Sequence, residues 1–186
     1  MTEVVRLSLV SHAMTDAMAA GRFPSDEPLN DIGRRQVEAV AAQINRGTRQ
    51  LAGPERRARQ TARLLGLQPT TDPLLADLDC GRWRGQTLEA MHPADLEAWL
   101  TEPARAPHGG ESIVDLIERV AGWLASLTKT PPEGASPTVA VTHPAVIRAA
   151  ILLALDGPPK SFWRIDIELL SHTVLHWRRA AWSIRM

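Results

Sequence analysis

Two histidines and one arginine stand where buried strands end and a helix begins. His12 follows the apolar run VVRLSLV at once, in LVSHAMT, and His143 follows a second such run, in VAVTHPAVIRA. Arg57, in GPERRARQTARLL, falls in the first turn of an expected helix, whose free backbone N–H groups also favour an anion. An imidazole can be a nucleophile or a proton carrier near neutrality, and a guanidinium grips an oxyanion through paired donors. A single histidine of this kind is more often an ordinary loop residue. Two imidazoles and a guanidinium on strand ends and a helix start would instead make a compact cationic hole suited to a phosphoryl group.

The elements that must position these groups alternate along the chain. The run 4–10 is aliphatic and β-branched, the pattern of a strand buried on both faces. After a Pro/Gly-bearing loop, Asn30 can cap a helix over 31–45, with Val37, Val40, Ala41 and Ile44 at helical spacing. Residues 50–53 form a short strand, and Pro54 suits the first position of a helix over 54–65. A loop over 68–86 carries Asp77, Asp79, Cys80, Gly81 and Trp83, and short helices follow near 87–101. Past the break at 103–110, Ser112 opens a helix over 112–127. A Pro/Gly-rich linker at 131–137 leads to a strand over 138–142, a helix from Pro144 to Leu155, and antiparallel strands over 172–178 and 181–185. This alternation implies an α/β sheet with helices on both faces, in one domain over 1–186. Ligands in such folds sit beyond the carboxyl ends of the strands, where His12 and His143 fall.

Composition narrows the function classes. The 186 residues carry 21 basic and 21 acidic side chains and 44% hydrophobic residues, which suits a single globular domain and excludes wholesale disorder. A neutral chain without a Lys/Arg block lacks the footprint of a nucleic-acid binder. Cys80 is the one cysteine, so neither a disulfide framework nor a zinc ribbon is available. No apolar run approaches the ~18 residues needed to span a bilayer, so no membrane partner is expected. The chain opens Met1-Thr2-Glu3 with no basic segment, and 4–10 is short for a signal core, so a cytoplasmic location is expected.

Six fragments, in order, give the chain a family resemblance. Leu9-Val10-Ser11-His12-Ala13-Met14-Thr15 stands against leu-val-arg-his-gly-x-thr. Gly21-Arg22-Phe23 and Pro28-Leu29-Asn30-Asp31-Ile32-Gly33 match the following loop. Ala52-Gly53-Pro54-Glu55-Arg56-Arg57-Ala58-Arg59-Gln60-Thr61-Ala62 stands against ser-ser-pro-x-x-arg-ala-x-gln-thr-ala. Leu75-Ala76-Asp77-Leu78-Asp79-Cys80-Gly81-Arg82-Trp83-Arg84-Gly85 stands against leu-x-glu-x-asp-phe-gly-x-trp-glu-gly. Gly109-Gly110-Glu111-Ser112 and Thr142-His143-Pro144 complete the set. The chain resembles the histidine phosphatase, or phosphoglycerate mutase, superfamily.

The resemblance implies a three-layer α/β/α sandwich with a mostly parallel central sheet and an antiparallel edge. It implies a phosphomonoesterase that hydrolyses a small phosphate ester without a metal or other cofactor. His12 would become a phosphohistidine, Arg57 and His143 would hold the phosphoryl oxygens, and Asp77 would serve as acid and then base. Ser11, Thr15, Arg22, Arg84, His108 and Glu111 are the expected phosphate or substrate contacts. A homodimer is compatible with the resemblance.

The departures set the alternatives. Ser11 replaces the signature arginine, and loss of such a contact costs roughly 1.5–3 kcal/mol. Arg6, Arg22, Arg82 or Arg84 could replace it, Arg22 being the best placed; Arg82 and Arg84 hint at a second anionic group on the ligand. Asp77 is one methylene shorter than the family glutamate, so Asp79 and Glu111 are kept as alternative acids. The rival expectation is a catalytically impaired member that binds a phosphorylated ligand or a protein partner. A mutase-type phosphotransfer is disfavoured by the short chain. His172 and His176 lack a third metal ligand, and His92 and His108 are expected at the surface. Cys80 reads as packing, Trp83 as the pocket mouth, and Trp123, Trp177 and Trp182 as core.

Overall fold

The computed structural model describes residues 4–44, 47, 49–129 and 137–185. The first apolar run forms β1 (Val5–Ser11), whose alternating side chains feed two different cores. Parallel strands β2 (Arg49–Ala52), β3 (Thr70–Thr71) and β4 (Thr138–Thr142) join it, with the antiparallel pair β5 (His172–Arg178) and β6 (Ala181–Arg185) at the other edge. Among the described residues the sheet has six strands in the order β3-β2-β4-β1-β5-β6. Leu7, Leu9, Leu51 and Ala140 face one cluster, while Val10, Ala52, Val139 and Val141 face the other. This period of two is what a sheet covered on both faces requires.

The helices run α1 (Asp16–Ala19), α2 (Asp31–Val40), α3 (Arg56–Leu64), α4 (Pro93–Thr101), α5 (Ile113–Lys129) and α6 (Pro144–Ala154). They divide between the two faces of the sheet. Val37 of α2 and Ala62 of α3 pack in the second cluster, so those helices cover one face. Leu116 and Trp123 of α5 and Ile147 of α6 pack in the first and cover the other. The three-layer α/β/α arrangement is therefore as expected, with its antiparallel edge.

The ends differ from the sequence expectations for local reasons. The helix expected over 31–45 turns into a 3-10 turn at Ala41–Gln43. Pro54 lies outside α3, because extended Glu55 is the residue that caps it. Ser112 caps α5 by accepting from the Asp115 N–H at 3.1 Å, while the Asp115 carboxylate accepts from the Ser112 hydroxyl at 2.7 Å. Neither α1 nor β3 was expected, nor were the 3-10 turns at Pro73–Leu75, Gly81–Trp83 and Pro159–Arg164. The linker expected at 131–137 lies outside the described residues except for Pro137. No described helix is long and apolar enough to cross a membrane.

Candidate active site

Strand register brings the distant motifs together. Ser11 pairs with Thr142 in the parallel β1–β4 ladder, so the next residues, His12 and His143, emerge side by side. The His12 N–H donates to the Thr142 carbonyl at 3.0 Å, and the two ring centroids are 5.1 Å apart. On the next strand Ala52 pairs with Val141, which delivers the 53–57 turn and the start of α3 to the same edge.

Helix α3 also braces the loops around His12. Thr61 Oγ1 accepts from the Ala13 N–H at 3.1 Å and donates to the Arg57 carbonyl at 2.8 Å, while Gln60 Oε1 accepts from the Leu29 N–H. Asn30 accepts from the Gly33 N–H, and a Cβ at Gly33 would collide with the Met14 carbonyl oxygen. Glycine is required there by close approach rather than by backbone conformation.

His12 is almost fully buried, and its Nδ1 lies 2.8 Å from the Ala13 carbonyl. A carbonyl only accepts, so Nδ1 carries the hydrogen, and in a neutral ring Nε2 keeps its lone pair. Burial, then the nearby charges of His143 and Arg57, push His12 down to about 3. The ring stays neutral across the physiological range.

The counter-charges are close at hand. Arg57 donates from Nη2 to Asp77 Oδ2 at 2.6 Å and from Nη1 to the Ser25 carbonyl at 2.5 Å, with Glu27 at 3.7 Å. His143, fully buried, places Nε2 2.7 Å from Glu55 Oε2 and Nδ1 3.4 Å from Asp77 Oδ2. Burial would raise the Asp77 carboxyl, but the charges of His143 and Arg57 outweigh it and hold the group at about 2. Glu55 also accepts from the Asp77 N–H at 3.0 Å, tying the His143 and Asp77 segments together. Burial opposes ionisation of Glu55, yet its bonds to His143 and Asp77 leave its carboxyl below the ordinary range.

His12, Arg57 and Asp77 line one end of a cavity of about 390 Å³. Phe23, Trp99 and Trp163 form an aromatic wall running away from them, and Arg22 and Arg148 also reach the cavity. A second hollow behind Arg57 and Asp77 is lined by Glu55, Asp26, Asp79 and Arg84.

Other expected contacts lie elsewhere. The Ser11 hydroxyl is buried without a partner among the described residues, and Ser11 does not line the cavity. Thr15 is buried and does not line the cavity either, accepting from the Met18 N–H at 3.2 Å and donating to Glu27. Arg84 pairs with Asp79 at 2.7 Å in an exposed contact, and Arg82 donates to the Pro107 carbonyl. Glu111 is held by both Nε and Nη2 of Arg119 at 2.8 Å. Of the three acidic candidates, only Asp77 shares the cavity with His12. Arg6 lies near the opposite end of β1, roughly 17 Å of strand from Ser11.

His108 is not a surface residue: its ring is buried against Trp83 at 5.2 Å, where Nδ1 accepts from the Gly110 N–H. Trp83 is likewise buried, and Trp99 and Trp163 take the cavity wall instead. Trp123 is core as expected, whereas Trp177 and Trp182 meet at a tilt, 5.5 Å between centroids and partly exposed, at the sheet edge, with Trp182 packed against the core cluster. Burial pushes the Cys80 thiol up to about 12, which removes it as a nucleophile at neutral pH. No metal-ligating cluster occurs among the described residues. Sequence reasoning passed over Glu27, Glu55 and Arg148, although Glu55 and Arg148 lie inside fragments that it singled out.

Residues 7–186 match the family described as histidine phosphatase superfamily (branch 1). A glucosyl-3-phosphoglycerate phosphatase of Mycobacterium tuberculosis is 36% identical over 177 residues, covering 85% of this chain and 78% of that protein. Phosphoserine phosphatase 1 of Hydrogenobacter thermophilus is 26% identical over 185 residues, covering 93% and 87%. Other curated mycobacterial relatives, 31% identical, are longer, and the chain spans 49% of their length. The solved structure of mycobacterial glucosyl-3-phosphoglycerate phosphatase with VO3 superposes with a TM-score of 0.86 at 29% identity, covering 97% of each chain.

Proposed function

The chain belongs to the histidine phosphatase superfamily, and on that premise we propose that it hydrolyses a small phosphate monoester through a phosphohistidine on His12. The observation that carries this reading is the His12–Ala13 bond, which leaves the Nε2 lone pair available beside Arg57 and Asp77. Similarity to relatives named as phosphatases supports it.

His12 Nε2 attacks phosphorus, and the P–N bond forms as the ester P–O bond breaks. Arg57 and His143 hold the phosphoryl oxygens and neutralise charge as it spreads in the transition state. Asp77 gives its proton to the departing alkoxide, then removes one from the water that attacks the phosphohistidine. Phosphate leaves and neutral His12 is restored. Asp77 acquires its proton in the substrate complex. There the phosphoryl group takes up the charges of Arg57 and His143, and burial then favours the neutral acid. Arg22 is exposed and lines the cavity, where it would meet the substrate.

A second reading rests on Ser11. With no guanidinium at that position and the serine hydroxyl enclosed, the protein would bind a phosphorylated ligand without turning it over. Incubation with 32P-labelled phenyl phosphate, stopped in alkaline detergent that preserves a P–N bond, separates the two. Acid-labile label on the protein, absent in His12→Ala, supports the phosphatase. Ligand binding without label, equal in wild type and variant, supports the binding protein.

A further inference from the structure

The segment that carries Asp77 crosses the site without a strand ladder to fix it. After the 3-10 turn Pro73–Leu75, no described strand runs through residues 76–80. Backbone groups left unpaired in this way need partners elsewhere. One guanidinium supplies most of them. Arg119, partly buried on α5, donates from Nη1 to the Leu74 carbonyl at 2.8 Å and to the Ala76 carbonyl at 3.0 Å. Its Nη2 donates to the Asp77 carbonyl at 3.4 Å and to Glu111 Oε2 at 2.8 Å, and its Nε donates to Glu111 Oε1 at 2.8 Å. Together these bonds use every N–H donor that a guanidinium has. The Leu75 carbonyl accepts from the Thr142 hydroxyl at 2.8 Å. The consecutive carbonyls from Leu74 to Asp77 are therefore all held.

The same pair reaches past Asp77. The Glu111 N–H donates to the Asp79 carbonyl at 2.8 Å, and a Cβ at Gly110 would collide with that carbonyl. Arg119 and Glu111 thus grip the acid-bearing segment on both sides of the Asp77 side chain, yet neither lines the cavity. We infer that Arg119, locked to Glu111, is a positioning residue that sets the Asp77 carboxyl for proton transfer to the leaving group. An aspartate carboxyl hangs from its backbone by a single methylene, so a shift of the backbone passes to the carboxyl almost undiminished. A general acid must lie within hydrogen-bond reach of the oxygen it protonates, and a misplacement of about 1 Å costs on the order of 10²-fold. His12 and His143 issue from the paired strands β1 and β4, and Arg57 from α3, so the grip bears on the acid more than on the groups that hold phosphorus.

This role of Arg119 rests on the phosphatase reading for turnover, so its test includes an arm without chemistry. Benzyl phosphate, whose alcohol must be protonated as it leaves, is compared with 4-nitrophenyl phosphate, whose phenolate leaves without a proton. The quantity compared is kcat/KM, which covers attack on phosphorus and departure of the alcohol but not the later hydrolysis. In Arg119→Ala the benzyl value should fall about 10- to 100-fold and the nitrophenyl value by less than about threefold. Both values come from one preparation, so partial unfolding cancels in their ratio. Added N-ethylguanidinium should restore the ratio, whereas ethylammonium, with the same charge but no planar fork, should not. Glu111→Gln loosens the grip at constant volume and should shift the ratio in the same direction by a smaller factor. In both variants the Asp77 N–H, which donates to Glu55, and the Glu111 N–H should exchange with deuterium faster, while the β4 amides stay as in the wild type. Should the wild type hydrolyse neither ester, the phosphatase reading fails, and this exchange pattern still upholds the positioning of Asp77. An equal fall on both esters, no fall on either, or unchanged exchange at Asp77 would overturn the proposal.

Discussion

Replacing His12 by asparagine should make the protein less sensitive to acid, by an amount that follows from the burial of the imidazole. The folded protein holds His12 at about 3, whereas the unfolded chain protonates it near 6.5. The folded state therefore refuses a proton that the unfolded state takes up. The stability tied to the neutral ring is fully present above 6.5 and is lost progressively as pH falls toward 3. Between pH 7.5 and 5.0 the wild type should lose about 2 kcal/mol through this one group. Asp77 contributes little in that window, because it stays ionised in both states down to 3.8. His108, His172 and His176 also resist protonation through burial, but they do so in both proteins. The asparagine side chain would keep an N–H donor near the Ala13 carbonyl. Urea unfolding at the two pH values gives four free energies, and the wild type should lose about 2 kcal/mol more than His12→Asn. Equal losses would mean that His12 is not held neutral by the fold, and the tautomer argument for the nucleophile would fail with it.

Glu55→Gln removes the charge facing His143 and weakens the tie to the Asp77 segment. Its kcat/KM for phenyl phosphate should fall about 10- to 100-fold, and a value within about twofold of wild type would remove Glu55 from the site. Asp77→Asn should lower kcat for an alkyl phosphate by about 10²- to 10⁴-fold. It should spare formation of the phosphoenzyme from 4-nitrophenyl phosphate, whose leaving group needs no proton; equal losses on both esters would assign Asp77 to positioning alone. Gly33→Ala drives a methyl into the Met14 carbonyl oxygen and should cost about 1–3 kcal/mol, measurable as a lower thermal midpoint. Hydrolysis should persist after dialysis against EDTA, since Arg57 and His143 supply the positive charge in the proposed mechanism.

Much of the architecture was legible because it rests on local pattern. Buried strands read as aliphatic runs, Asn30 and Ser112 announced helix starts, and the strands over 172–178 and 181–185 matched to the residue. The hairpin between those two was not signalled by glycine or asparagine. Arg179 and Ala180 both adopt positive φ, held there by the pairing on either side. Helix ends were less clear where the first turn was irregular, as at Pro54 and Glu55.

The site divides along the same line. Residue types and order marked His12, Arg57, Asp77 and His143, since each sits in a fragment whose chemistry is readable without coordinates. Partners were not readable. Glu55 reaches His143 across 88 positions, and Arg148 meets the aromatic wall only after α6 packs beside the 3-10 turn Pro159–Arg164. Arg84 and Glu111 looked free in sequence, yet Asp79 and Arg119 hold them. His108 looked exposed in its loop, yet it is enclosed by Trp83. Sequence alone determined which groups could react, because reactivity belongs to the side chain and its immediate backbone. Tertiary structure decided which charges are neutralised and which are left for a ligand, because pairing depends on the register of neighbouring strands and the packing of helices distant along the chain.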